Sequence, residues 1–253
     1  MTNADTPGTD AQRAAFEDPA DEAGGPPKRG ERSARPRDAA TLILVRRSRS
    51  QPQILMGRRH RNHVFMPGKF VFPGGRVDPG DYRAPAASEL RPHVARRVSH
   101  RAGPAKARAL ALAAVRETFE ETGLTLGAPC ERLPRCRSRS WRPFLERRVQ
   151  PALEPLDFIA RAITPPARTR RFDARFFLAD ADHLTGATRP VDISGELLEL
   201  HWLTLDEARK LDLPAITRFV LGELEAHLED GPDAARPVPF VYYRRGRTVV
   251  DSL

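Results

Sequence analysis

Apolar residues in this chain come in short runs that stop at polar, glycine or proline positions. Residues 41–45 (TLILV), 54–56 (ILM) and 70–72 (FVF) are too brief for helices and are bounded as strands are. Residues 106–122 carry a long helical pattern instead, and Gly123 followed by Leu124 has the form of a helix stop. Further strands are predicted at 157–163, 175–179 and 197–203. A short helix opened by Asp206 as N-cap follows, then a longer one from Pro214 to about Leu228. The closing stretch PVPFVYYRRGRTVV begins as a strand and predicts a late hairpin. This alternation predicts an α/β fold with a mixed sheet covered by helices, a class that carries no function by itself.

Composition narrows the picture. Residues 1–37 are poor in large apolar groups and rich in Pro, Gly, Asp and Arg, which predicts a disordered tail ahead of one folded domain over 38–253. No apolar run approaches the roughly 20 residues of a membrane span, and the opening residues lack the features of a secretory signal or transit peptide, so the expected address is cytoplasmic. Cys130 and Cys136 have no zinc or redox spacing and read as free thiols. The net charge of +9 is almost entirely arginine. Such a surface steers phosphorylated ligands toward it. The arginines are scattered without interleaved aromatics, so nucleic acid is not the expected partner.

Chemistry concentrates in RETFEETGL, residues 116–124. With Glu117 at zero on a helical wheel, Glu120 falls at about 300° and Glu121 at about 40°, while Leu112, Val115 and Phe119 occupy the opposite arc. One face is predicted to be core and the other acidic. Like charges on one turn repel, and acidic groups at a helix C-terminus meet the negative end of the macrodipole. A cation offsets both, and hard divalent ions take oxygen ligands of this kind. Taken alone, Glu120-Glu121 describes no more than an acidic helix end in solvent.

Upstream lies FVFPGGRVDPGD, residues 70–81, read as a strand ending in a Pro-Gly-Gly turn where backbone approaches a ligand closely. Together, GGRVDPGD and RETFEETGL resemble the two halves of the Nudix box: G, five residues, E, seven residues, then R-E-apolar-x-E-E-x-G-apolar. Arg116, Glu117, Glu120, Glu121, Gly123 and Leu124 match, with Thr118 at the apolar position. Two departures stand out. Asp81 replaces the first glutamate, and 34 residues separate it from Arg116 where the box has seven. The excess, roughly residues 82–105, is expected to loop out between turn and helix, and it leaves the role of Asp81 in doubt. A box interrupted here is similar to the branch typified by peroxisomal coenzyme A and acyl-CoA diphosphatases. Phe65-Met66-Pro67-Gly68 before the box, Arg170 to Asp173 leading into Phe176-Phe177, and Glu199 to Leu203 are also similar to that branch, although Val64 stands where its motif has an arginine.

The resemblance implies a Nudix-type α/β/α sandwich that hydrolyses a diphosphate linkage in a small-molecule nucleotide, with coenzyme A or acyl-CoA as the first substrate. ADP-ribose, dinucleotides and nucleotide sugars are the alternatives, and a non-catalytic nucleotide-sensing module is the alternative of another class. It implies Mg²⁺ or Mn²⁺ held by Glu117, Glu120, Glu121 and the Gly74 carbonyl, with Glu117 as general base and Arg116 holding it. Glu196 is the candidate second carboxylate from a distant loop. Arg58, Arg59 and Phe65 are candidates for substrate binding, His60 and His63 read as polar surface, and Trp141 and Trp202 read as core or edge packing. The segment 82–105 is a candidate lining of the substrate site or a homodimer contact.

Overall fold

The structure, a computed structural model, describes residues 34–48, 51–60, 67–166, 168, 170–186, 189–191, 195–231, 235–245 and 247–253. In chain order the strands are β1 (Arg37–Arg46), β2 (Gln53–Arg59), β3 (Phe70–Val71), β4 (Gly74–Arg76), β5 (Thr125–Pro129), β6 (Val149–Pro151), β7 (Asp157–Ile163), β8 (Phe172–Asp180), β9 (Leu184–Thr185), β10 (Leu197–Thr204), β11 (Pro239–Arg244) and β12 (Arg247–Ser252). The helices are α1 (Pro92–Val98), α2 (Pro104–Thr122), α3 (Arg142–Leu145), α4 (Leu205–Arg209) and α5 (Ala215–Asp230). Most of the expected tail, residues 1–33, lies outside the described residues, and Arg37 is already paired with Phe172.

The main sheet is mixed. Its order is β10-β2-β1-β8-β7-β11-β12, with β1 parallel to β8 and β7 parallel to β11, and β3 and β4 pair with β2 and β1. A second sheet joins β6, β5 and β9. Successive residues of β1 and β2 point to opposite faces, and both faces are covered. Leu42, Leu44 and Leu55 join Leu110, Leu112, Val115 and Phe119 of α2 in one core. Ile43, Val45, Ile54 and Met56 join Phe219, Val220 and Leu224 of α5 in the other. Burial on both faces explains why these strands read as unbroken apolar runs rather than alternating ones.

Several expectations need correction. The Pro-Gly-Gly stretch is not a turn: Gly74–Arg76 forms β4 on β1, with Ala40 opposite Gly75 and Thr41 opposite Gly74. The short helix α4 is capped by Thr204, not Asp206. Thr204 Oγ1 accepts from Glu207 N and the Glu207 carboxylate accepts from Thr204 N, a reciprocal capping box. Residues 82–105 do not loop out freely, since Ala84, Val94 and Val98 are buried against α2. The acidic face of α2 is itself covered: Arg116, Thr118 and Glu121 are all buried.

Candidate active site

Helix α2 starts with Pro104 at its first position after Gly103 and ends at Gly123, which takes the left-handed conformation (φ 73°) and donates its N–H to Phe119 O. The intervening Ala-Leu-Ala-Leu-Ala-Ala-Val run lets the helix sit close on the sheet, and so sinks its polar C-terminal turn. Thr118 is tolerated where an apolar residue was expected because its hydroxyl donates to Ala114 O at 2.8 Å.

Arg116 organises that turn. Nε and Nη2 donate to the two oxygens of Asp81 at 2.8 and 3.0 Å, and Nη2 also donates to Arg76 O at 2.9 Å. Nη1 donates to Glu117 Oε1 at 3.0 Å and to Glu120 Oε2 at 2.9 Å. Five contacts account for all five guanidinium N–H groups. Asp81 is fully buried and receives two more bonds, from Trp141 Nε1 at 2.8 Å and from Asp78 N at 2.7 Å. Its carboxylate is saturated with donors. It therefore supports Arg116, and the doubt raised by the long interval is removed: the segment between the two residues changes the path of the chain and leaves their contact intact.

The remaining carboxylates are held differently. Glu121 is buried and accepts from Gly74 N at 2.9 Å. The β1–β4 register explains that contact. Leu42 N donates to Pro73 O and Val77 N to Asp38 O, so hydrogen-bonded pairs alternate and Gly74, opposite Thr41, is a position whose backbone groups turn away from β1. A Cβ on Gly75 would lie 2.4–2.6 Å from the Glu117 carboxyl, and one on Gly74 would lie 2.6–2.7 Å from β1 backbone atoms. Neither glycine has a positive φ; close approach is what requires them.

Burial shifts the acids. It pushes the Glu117 carboxyl up to about 7, with Arg116 opposing and Glu120 adding to the rise. It pushes Glu121 up to about 8 against the pull of Arg59 and the Gly74 N–H, with Glu117 and Glu196 repelling. Glu120 is raised too, again mainly by burial. Three oxygen donors that resist ionisation suit a hard divalent cation, which would relieve all three. Among the described residues, no three His, Cys, Asp or Glu side chains already converge as a metal cage. Arg116 and the Gly74 N–H take up carboxylate oxygens that a metal would compete for.

The other candidates divide. Arg59 and Glu196 act electrostatically on Glu121 and so belong to this side of the sheet. Arg58, one residue along β2, faces away by the alternation of the strand and forms an ion pair with Glu199 at the Leu198/His201 bulge. It is not brought to the site. Phe65 and His63 lie outside the described residues. Reading the sequence missed Asp78 and Trp141 as supports of Asp81. The i, i+3 aspartates of Asp78-Pro-Gly-Asp81 form a capping box of their own and could have signalled it.

No family model matches the chain, and no curated protein does. Among solved structures it is similar to a NUDIX hydrolase from Alicyclobacillus acidocaldarius, with 26% identity and a TM-score of 0.58 over 79% of this chain and 99% of that one. It is also similar to a C. elegans Ap4A hydrolase (18% identity, TM-score 0.45, 77% and 98% covered) and to the NUDIX domain of Shewanella oneidensis NrtR complexed with ADP ribose (12%, 0.47, 87% and 99%).

Proposed function

We propose that this protein is a divalent-metal hydrolase that cleaves the diphosphate linkage of a nucleoside diphosphate derivative, with coenzyme A or acyl-CoA as the first substrate to test. The fold is the α/β sandwich of Nudix hydrolases, and the likeness to a NUDIX hydrolase is consistent with a Nudix diphosphatase. The observation that carries the reading is the clamp around Arg116, which fixes Glu117 and Glu120 beside a buried Glu121 at the edge of β4.

Glu117, Glu120, Glu121 and the Gly74 carbonyl would hold Mg²⁺ or Mn²⁺. Bound there, such an ion supplies charge neutralisation of the diphosphate and acidifies water. Glu117, held by Arg116, is the candidate general base that takes a proton from the attacking water. Arg116 keeps Glu117 in place, and Asp81, Trp141 and Asp78 keep Arg116 in place. Arg59 is the candidate to meet a substrate phosphate, and Glu196 is the candidate additional carboxylate; both act electrostatically on Glu121. The coenzyme A assignment rests on the interrupted box and on the segments around it that are similar to the coenzyme A branch.

The test is incubation with Mg²⁺ or Mn²⁺ and a panel of CoA esters, ADP-ribose, dinucleotides and nucleotide sugars, with phosphoanhydride cleavage followed by product analysis. Release of adenosine 3′,5′-bisphosphate from CoA esters supports the full reading. Faster turnover of another member removes the substrate assignment alone. No cleavage of any member removes the hydrolase reading.

A further inference from the structure

Between residues 130 and 150 the chain carries seven arginines against two glutamates. The stretch 133–140 has no regular secondary structure, yet its exposure alternates residue by residue. Leu133, Arg135, Arg137 and Arg139 are exposed, while Pro134, Cys136, Ser138 and Ser140 are half-buried. Period-two alternation is the mark of an extended chain lying along a surface.

The inward residues are anchored. Cys136 packs on the α2 core. Ser138 and Ser140 hydroxyls lie 2.8 Å apart, and Ser140 Oγ donates to Asp78 Oδ1 at 3.1 Å. Asp78 in turn acts electrostatically on Glu120, so the extended stretch reaches the margin of the carboxylate site. Ser138 also packs on Gly80, where a Cβ would lie 2.0 Å from its hydroxyl.

The outward residues are a different matter. Several arginines elsewhere in the domain are matched with carboxylates: Arg47 with Asp180, Arg91 with Asp157, Arg108 with Glu89, Arg161 with Asp173, Arg209 with Glu225, Arg236 with Asp230. Among the described residues, Arg135, Arg137 and Arg139 have no such partner. Alternate residues of an extended chain repeat about every 6.5 Å, which sets the spacing of Arg135 and Arg137; Arg139 follows at the start of a turn, also exposed. Read along the chain these arginines lack an aromatic neighbour before Trp141, which is buried. The fold supplies one, since Tyr82 sits two residues beyond Gly80 in the turn 79–82 and is 45% exposed. Leu133, 56% exposed, stands at the far end of the row.

We propose that residues 132–142, with Tyr82 beside them, form a surface that binds the sugar-phosphate backbone of single-stranded nucleic acid. Regularly spaced cations beside an exposed aromatic are what such a ligand needs: guanidinium groups for successive phosphates and a ring on which a base stacks. An acidic membrane is the poorer match, because the stretch is extended and presents no broad apolar face as interfacial helices do. The surface is independent of the hydrolase reading, and the proposal runs against the expectation drawn from the linear sequence that nucleic acid is not a partner.

The experiment is fluorescence anisotropy of a labelled single-stranded oligonucleotide of about 15 nucleotides against the full chain, in EDTA so that no cleavage intervenes, over a series of salt concentrations. Removing three phosphate contacts lowers the magnitude of the log Kobs against log [salt] slope by about 2. We expect that fall in an Arg135→Gln, Arg137→Gln, Arg139→Gln variant. A control variant that removes the same charge from Arg244, Arg245 and Arg247 in the β11–β12 hairpin should keep the slope. Tyr82→Ala should weaken binding and leave the slope unchanged. Unchanged circular dichroism and undiminished turnover of small diphosphates by the arginine variant confirm that the fold and the catalytic site are intact. The proposal falls if the wild-type chain binds no oligonucleotide, if the two arginine variants lose affinity equally, or if only phosphatidylserine vesicles respond to the substitutions.

Discussion

Asp81 and Arg116 meet in a buried two-pronged ion pair across 34 intervening residues, and every oxygen and nitrogen at that contact has a partner. Removing one member of such a pair leaves the other charge buried and uncompensated. Asp81→Asn should lower unfolding free energy by about 3–5 kcal/mol, read from urea midpoints at constant m. Trp141→Phe deletes the indole donor to Asp81 and also empties part of a fully buried site; loss of the donor alone should lower it by about 1–3 kcal/mol, and the void adds to that.

Gly75→Ala should separate activity from stability. The new methyl would meet the tip of a flexible side chain, the Glu117 carboxyl, which can swing aside with little effect on folding. Displacing the catalytic carboxyl by about 1 Å lowers turnover on the order of 10²-fold. Gly74→Ala meets β1 backbone instead, and should destabilise the protein by about 1–3 kcal/mol. Thermal melts and kcat on both variants check the contrast.

Glu117 and Glu121 have their folded-state carboxyl values raised to about 7 and about 8. Between the unfolded carboxylate range and those values the native state holds more protons than the unfolded state, so stability falls as pH rises. In EDTA, Tm should decline from pH 5 to pH 8.5. Mg²⁺ needs the ionised carboxylates, so the rise in Tm that it produces should be larger at pH 8.5 than at pH 6. Differential scanning fluorimetry across that grid decides it.

Glu117→Gln should lower kcat by about 10²–10⁴-fold if it takes the proton, and the acidic limb of the pH–rate profile should vanish. Recovery of activity at high metal concentration would leave Glu117 the ligand role alone and remove it as the base.

The folded elements were legible where local chemistry decides them. The strand at 157–163 and the stop at Gly123 follow from apolar runs and a left-handed cap. The carboxylates of α2 were legible because three of them share one turn. What the linear chain concealed depends on contacts across it. Asp81 looked detached because spacing was taken for distance, although the 3-10 turn and Trp141 return it to Arg116. Gly74-Gly75 looked like a turn because glycine is common there, although its use here is to let β4 slide under Glu117. Arg58 and Arg59 looked equivalent, and strand alternation separates them.

The connection between Asp81 and Arg116 behaves like a ratchet. For a flexible link tied at both ends, doubling its length adds only about 0.6 kcal/mol of closure entropy, so a longer path is easily accommodated. Here the link places Ala84, Val94 and Val98 in the core with α2. Shortening it again is not the reverse of lengthening it: the excised chain would leave a hole where three buried side chains now stand, so the length of this segment is free to grow and hard to reduce.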